Sequence, residues 1–131
     1  MYQKLIIIGN LGRDPEMRFT PDGKPVTSFS VATSRRYKDK DETTWFRVTV
    51  WGNQAESASQ YLQKGSKVLV EGRLNPDSST GGPRTYQRKD GSWAASFEMT
   101  AENIRFLSAR GEGSGMDSDS DGLSDDDDIP F

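Results

Sequence analysis

The chain has 131 residues, enough for one folded domain with its own core and a tail. It contains no cysteine and no histidine, so it lacks disulfides, thiolate sites and the commonest general base, which counts against an enzyme. Hydrophobic residues make up only 32% and the mean hydropathy is −0.79, so part of the chain is expected to be disordered.

The N-terminal sequence MYQKLIIIGN has an apolar run of only four residues. Such a run is too short for a signal peptide or a membrane span. We therefore expect a cytoplasmic protein with no membrane contact.

The net charge of −3 conceals a basic body and an acidic tail. All 17 basic residues and 12 of the 20 acidic residues lie in residues 1–110, which carry a charge of +5. Residues 111–131 contain eight acidic residues and no basic ones, a charge of −8. The negative net charge of the whole chain therefore does not count against binding of a polyanion by residues 1–110.

Alternating apolar and polar residues predict about five main strands within residues 1–107. The segment at 5–8 is apolar on both faces, with Ile6 and Ile8 on one side, so we expect it to pack on the core and on a second surface, such as a partner chain. The predicted extended segments are residues 5–8, 16–20, 26–34, 44–51, 66–74 and 96–107.

The segment 44–51, TWFRVTVW, separates into two faces because side chains in a strand alternate. Two tryptophans with a cation between them suit unpaired nucleobases and a phosphate backbone. The alternative is that the tryptophans pack under a loop or at a subunit interface, since aromatic residues are common in strands. The predicted core face has Phe46, Val48 and Val50, and the other face has Trp45, Arg47, Thr49 and Trp51.

Two further stretches combine basic residues with an aromatic one. Residues 35–42 show no core periodicity and predict an exposed hairpin loop, and residues 84–89 precede a turn signal at Asp90-Gly91. A plain solvated loop is the alternative for the charges alone. The predicted base-stacking residues are Tyr37, Trp45, Trp51 and Tyr86, and the cations near them are Arg35, Arg36, Lys38, Arg47, Arg84 and Arg88.

Residues 53–62 predict a single helix, with Asn53 as the N-cap, Glu56 in its first turn and Gly65 as a left-handed residue after its last turn. Gly72 lies on the core face of its strand, where a barrel strand can bend. This order predicts an all-β protein with one short helix: an OB-fold, a five-stranded Greek-key barrel that often binds single strands.

The composition changes at residue 108. We expect a disordered Ser/Gly/Asp linker at residues 108–124, after a barrel domain at residues 1–107. Residues 125–131 end the chain with an apolar plug behind four acids, which suits a partner pocket with a basic rim. The predicted partner-binding residues are Asp125, Asp126, Asp127, Asp128, Ile129, Pro130 and Phe131.

Two carboxylate patterns suggest other functions but lack the surroundings that those functions need. The tail from Asp117 to Asp128 follows the spacing of an EF-hand loop, but Ser124 replaces the usual apolar anchor and no flanking helices are predicted, so we expect no metal or cofactor. Three further acids, Asp39, Asp41 and Glu42, lie in a charged loop without an apolar pocket, which disfavours a nuclease or other acid–base enzyme.

Several motifs resemble those of bacterial single-stranded DNA-binding proteins, over nearly the whole chain. They are IIIGNLGRDPEMR at residues 6–18, ATS at 32–34, WFRVTVWG at 45–52, AESASQYLQKGS at 55–66, VEGRL at 70–74 and the terminal DDDDIPF. The resemblance implies an OB-fold homotetramer that wraps single-stranded DNA near the nucleoid. It also implies that the acidic tip recruits replication, repair and recombination proteins.

The resemblance places the family's stacking positions at Tyr37, Trp45, Trp51 and Tyr86, and basic positions at Arg47, Lys64 and Arg73. The chain departs from the family pattern in an apparent insertion at residues 75–83, in Phe46 where a histidine is frequent, and in a short tail linker. A specialised OB-fold module, such as a primosome component or an RNA chaperone, is the alternative function.

Overall fold

A computed structural model of the chain describes residues 1–108. The linker from residue 109 onward and the tip at 125–131 therefore lie outside the described residues, as does the EF-hand-like tract. Residues 1–108 form seven strands and one helix: β1 (Leu5–Leu11), β2 (Glu16–Phe19), β3 (Pro25–Tyr37), β4 (Lys40–Trp51), α1 (Asn53–Tyr61), β5 (Lys67–Leu74), β6 (Arg84–Gln87) and β7 (Trp93–Phe106).

Five of these strands close into a barrel in the order β1-β5-β7-β4-β3. The pairs Asn10↔Ala32 and Leu11↔Val31 join β1 to β3 and complete the closure. The β4–β7 pair is parallel, whereas the other barrel pairs are antiparallel. The predicted OB-fold is confirmed, and β2 and β6 are short additions that pair with β3 and β7.

The barrel interior is filled by the inward residues of the alternating strands. Val31, Val48 and Met99 are fully buried, and Ala55 and Ala58 of α1 close one end of the barrel. The buried Thr27 hydroxyl donates a hydrogen bond of 2.7 Å to the carbonyl of Ala55, which fixes the helix on β3. A helix this short depends on such packing, because nine residues are too few to be stable alone.

Gly72 lies at the bend of β5, as the sequence predicts. The register with β7 shifts between Glu71 and Gly72, and a Cβ atom at Gly72 would collide with the carbonyl of Thr100. The bulge tightens the curvature of the strand, which barrel closure requires.

The predicted caps of α1 were wrong in two details. Gly52 is the N-cap, with φ 76°, and no side chain caps the helix, because Asn53 is already the first helical residue. Gly65 does have a positive φ of 90°, but Leu62 ends the helix in an extended conformation. Gly65 instead donates its N–H to the carbonyl of Leu11, which ties the segment after the helix to β1.

The predicted loop at residues 35–42 was also wrong, because β3 and β4 remain paired out to Tyr37↔Lys40. The turn consists of Lys38 and Asp39 alone, both with positive φ, at 50° and 66°. Neither face of this part of the hairpin is buried, so no apolar periodicity could reveal it. The turn also lacks the Asn-Gly or Asp-Gly signature that usually predicts such hairpins.

Candidate nucleic-acid interface

The two faces of β4 are those predicted from its alternation. Val48 and Val50 are fully buried, whereas Trp45 is 53% exposed and Trp51 is 49% exposed. Arg47 lies between them on the outer face. Within residues 1–108, no loop buries these indoles, so both rings present surface to solvent.

An open groove of about 360 Å³ runs beside this face of the barrel. It brings Trp45 and Arg47 of β4 together with Tyr86 of β6, although β6 is distant in the chain. Two aromatic side chains and a guanidinium thus share one surface that is accessible from outside. The complete lining is Gly12, Arg13, Ser30, Trp45, Phe46, Arg47, Tyr86, Ala95 and Ser96.

Gly12 makes room for the Trp45 indole in this groove. A Cβ atom at Gly12 would lie 2.6 Å from Cζ3 and 2.8 Å from Cη2 of Trp45. Carbon atoms in contact prefer a separation of about 3.5–4.0 Å. Across the ladder, Trp45 stands opposite Ala32, another small residue. The two small neighbours allow the ring to lie close to the barrel.

Four of the predicted phosphate-binding arginines already have a carboxylate partner. Ion pairs at a protein surface contribute little stability, but each partner reduces the positive charge available to a ligand. The pairs are Arg35–Glu42 at 2.8 Å, Arg36–Asp41 at 3.3 Å, Arg84–Glu98 at 3.4 Å and Arg73–Glu102 at 4.0 Å.

Arg47 differs from these four arginines. Among the described residues it forms no ion pair and donates no side-chain hydrogen bond, although it lines the groove. Its formal charge is therefore available to an anion in the groove. Because Arg47 is flanked by Trp45 on the same face, a phosphate bound there would have an aromatic surface beside it.

Tyr37 forms a separate group near the end of the long hairpin. The guanidinium of Arg35 lies 5.2 Å from the Tyr37 ring centroid, and the ammonium of Lys38 lies 5.3 Å from it. Both distances are within the range of cation–π contacts. The ring is 47% exposed, but Tyr37 pairs with Lys40, five residues from Trp45, and therefore lies on the opposite face of the hairpin from Trp45.

The other predicted positions do not line the groove. Trp51 lies about 20 Å along β4 from Trp45, from the rise per residue of a strand. Lys64 follows α1, where its N–H bonds to the Asp14 carboxylate, and Arg88 belongs to the turn between β6 and β7.

Arg13 lines the groove but is absent from the predicted set. It also lines a smaller cleft of about 80 Å³ with Arg47, so two cations lie on neighbouring walls. No aromatic residue lies close to Arg13 in the sequence, so no local pattern marks it as part of an aromatic and basic surface. Its place beside Arg47 depends on barrel closure, which brings β1 next to β3.

The insertion at residues 75–83 forms a loop with its own hydrogen bonds. The Asp77 carboxylate accepts bonds from the N–H and the hydroxyl of Ser79, and these bonds lower the pKa of Asp77. The loop covers an apolar cleft of about 140 Å³ that includes Leu74 and Phe97, and Glu98 also borders this cleft. The insertion therefore ends beside the groove, where β6 begins.

In the part of the chain that the structure describes, no helix has the length and apolar character needed to cross a membrane. The same residues contain no cluster of three acidic side chains arranged to hold a metal ion.

The closed barrel, the single helix between β4 and β5 and the aromatic groove on the outer surface define an OB-fold protein. Residues 2–107 match the model of the Single-strand binding protein family. The chain belongs to this family, which confirms the resemblance seen in its motifs. Because this is a family of binding proteins, the expectation that the chain is not an enzyme is also confirmed.

Curated relatives with the name "Single-stranded DNA-binding protein" include one from Neisseria meningitidis serogroup A, 41% identical over 117 residues, which cover 86% of this chain and 63% of the relative. Another, from Wolinella succinogenes, is 38% identical over 120 residues, covering 88% of this chain and 70% of the relative. A third, from Xanthomonas axonopodis pv. citri, is 40% identical over 115 residues, which cover 84% of this chain and 60% of the relative. The chain thus spans less than two thirds of the Neisseria relative.

Proposed function

We propose that this chain binds single-stranded DNA without sequence preference. The observation that carries the proposal is the groove in which Trp45, Arg47 and Tyr86 share one open surface. Aromatic rings stack on any base, at about 1–3 kcal/mol per base, and cations hold the backbone. Membership of the Single-strand binding protein family supports the same function.

The spread of aromatic residues favours a long strand over a small ligand. The β4 strand has 12 residues, or about 40 Å, and bears Trp45 and Trp51 on one face. Tyr37 lies beyond Trp45 near the hairpin end, on the other face of the hairpin, and Tyr86 lies across the groove. A single small molecule could contact only one part of this series, whereas an extended strand could reach several rings in succession.

The test is a titration of the full chain with oligo(dT), followed by tryptophan fluorescence. We expect quenching, and an association constant that falls steeply as salt rises, because phosphate binding releases counterions. Absence of quenching at low salt would contradict the proposal. A parallel titration with oligo(U) distinguishes this function from the alternative one. Equal affinity for RNA and DNA would favour an RNA chaperone or another specialised module.

We also propose that the chain assembles as a homotetramer. Ile6 is 55% exposed and Ile8 is 43% exposed on the outer face of β1, whereas Ile7 between them is only 6% exposed. Two adjacent apolar side chains on a strand surface are suited to burial against another chain. Native mass spectrometry should give four copies, and Ile8→Lys should shift the mass downward. A monomeric wild-type protein would contradict the assembly.

We propose that the tip at residues 125–131 binds replication, repair and recombination proteins. Its four acids and its Ile-Pro-Phe end support docking into an apolar pocket with a basic rim. Deletion of residues 129–131 should abolish partner capture and leave DNA affinity unchanged or slightly higher. If the truncated chain captured the same partners, the tip would have another role.

A further inference from the structure

Glu98 is an acidic residue at the edge of the groove. It stands beside Arg47 in the parallel β4–β7 pair, and its carboxylate lies 3.4 Å from Nε of Arg84. The hydroxyl of Ser96, a groove-lining residue, lies 3.5 Å from the other carboxylate oxygen. Paired residues of adjacent strands point to the same side of a sheet, so Glu98 and Arg47 share the outer face.

Glu98 is less exposed than the other acids that pair with arginine. Its side chain is 20% exposed, against 50% for Glu42, 72% for Asp41 and 51% for Glu102. Water and salt screen a half-buried charge less than an exposed one. Its effect on Arg84 and on the neighbouring Arg47 therefore persists at moderate salt, where exposed pairs have little effect.

We propose that Glu98 is a built-in competitor of the DNA phosphate for Arg84, and that it limits how many phosphates the surface beside the groove neutralises. While the carboxylate holds Arg84, the pair presents no net charge to a bound strand. A phosphate that approaches Arg84 also meets the negative charge of Glu98. Glu98 thus weakens binding and lowers its salt dependence, which favours release of the strand. The inference rests on the proposed binding of single-stranded DNA.

The first variant is Glu98→Gln, which keeps the shape of the side chain and removes its charge. We expect oligo(dT) to bind about three- to tenfold more tightly at low salt, because one cation becomes free near the backbone. The plot of log K against log salt should steepen by about 0.7, the value for one further phosphate contact on a single strand. Thermal unfolding serves as the check on folding.

Three further variants separate a local effect from other causes. Glu56→Gln makes the same change in net charge on an exposed site of α1, away from the groove, and should leave affinity and slope unchanged. Arg84→Gln combined with Glu98→Gln removes both charges of the pair and should restore the wild-type affinity and slope. Arg84→Gln alone leaves Glu98 unpaired and should weaken binding.

The outcomes distinguish this inference from the function on which it rests. If wild type and Glu98→Gln both fail to bind oligo(dT), the proposed function falls and the role of Glu98 falls with it. If both bind with equal affinity and equal slope, Glu98 is only a structural partner of Arg84 and the inference alone is overturned. Weakened binding by Glu98→Gln, or a double variant as weak as Arg84→Gln, would overturn it too.

Discussion

Replacement of Gly12 by alanine tests whether the position of the Trp45 ring controls DNA binding. The new methyl group would lie 2.6 Å from Cζ3 of Trp45, so the ring must move outward by about 1 Å to regain normal contact. Because Trp45 is 53% exposed, the ring can move toward solvent without disturbing the core. We expect a change in unfolding free energy of less than about 0.5 kcal/mol, as for surface substitutions.

The displaced ring should stack less well on a base. Complete loss of the ring in Trp45→Ala should cost about 1–3 kcal/mol, or about 5- to 150-fold in affinity. Gly12→Ala should cost about 1 kcal/mol, or about fivefold, because the ring is moved rather than removed. Anisotropy of a labelled oligo(dT) is the suitable assay, since these variants alter the intrinsic fluorescence of the protein.

Trp45→Phe provides the matched background. A phenyl ring keeps a stacking surface but lacks the outer atoms of the indole that the new methyl group would meet. In that background, Gly12→Ala should therefore have little effect on affinity, so the two changes should be clearly non-additive. The same loss in both backgrounds would refute the reasoning, as would full affinity of Gly12→Ala alone.

Three other substitutions test the fold beneath the site. Gly72→Ala should lower the free energy of unfolding by about 3 kcal/mol or more, because the added Cβ atom would meet the rigid carbonyl of Thr100. Urea unfolding measures this change, and a midpoint equal to that of the wild type would contradict the close approach at the bulge. Thr27→Val removes a buried hydrogen bond and should lower stability by about 1–3 kcal/mol without changing the affinity for oligo(dT). Unchanged stability with weaker oligo(dT) binding would contradict this prediction. Hydrogen bonds from Ser92 hold the pKa of Asp90 below its ordinary value of 3.8. The charged carboxylate therefore stabilises the turn fully above pH 3.8, and this stabilisation is lost as the pH falls through the lowered pKa. Ser92→Ala should move the pKa of Asp90 back up toward 3.8 in an NMR titration, and an unshifted titration would exclude these bonds as the cause.

The faces of β4 and the helix between β4 and β5 were accessible from the sequence. Val48 and Val50 contrast with Trp45 and Trp51 at a period of two, and that contrast survives folding because one side of the strand lines a dry barrel. Periodicity did not reveal the hairpin beyond the barrel, since residues there are exposed on both faces and no apolar pattern marks them.

Only part of the candidate site could be predicted from the sequence. Four aromatic positions were predictable because each lies close to a basic residue in the sequence, whereas Arg13 has no aromatic residue near it and becomes part of the groove only when β1 meets β3. The partners of the arginines were equally hidden. Glu98 faces Arg84 and Arg47 through strand pairing between distant segments, so nothing near either arginine in the sequence indicated that a carboxylate would lie there.

The sequence by itself determined the barrel class, the outward tryptophans of β4 and the contrast between a basic body and an acidic tail, because each is a property of local pattern or composition. The tertiary structure decided that Trp45, Tyr86 and Arg13 line one groove, and which arginines have a carboxylate partner. Those facts follow from strand register, which brings distant residues within a few ångströms and is set by the packing of the whole barrel.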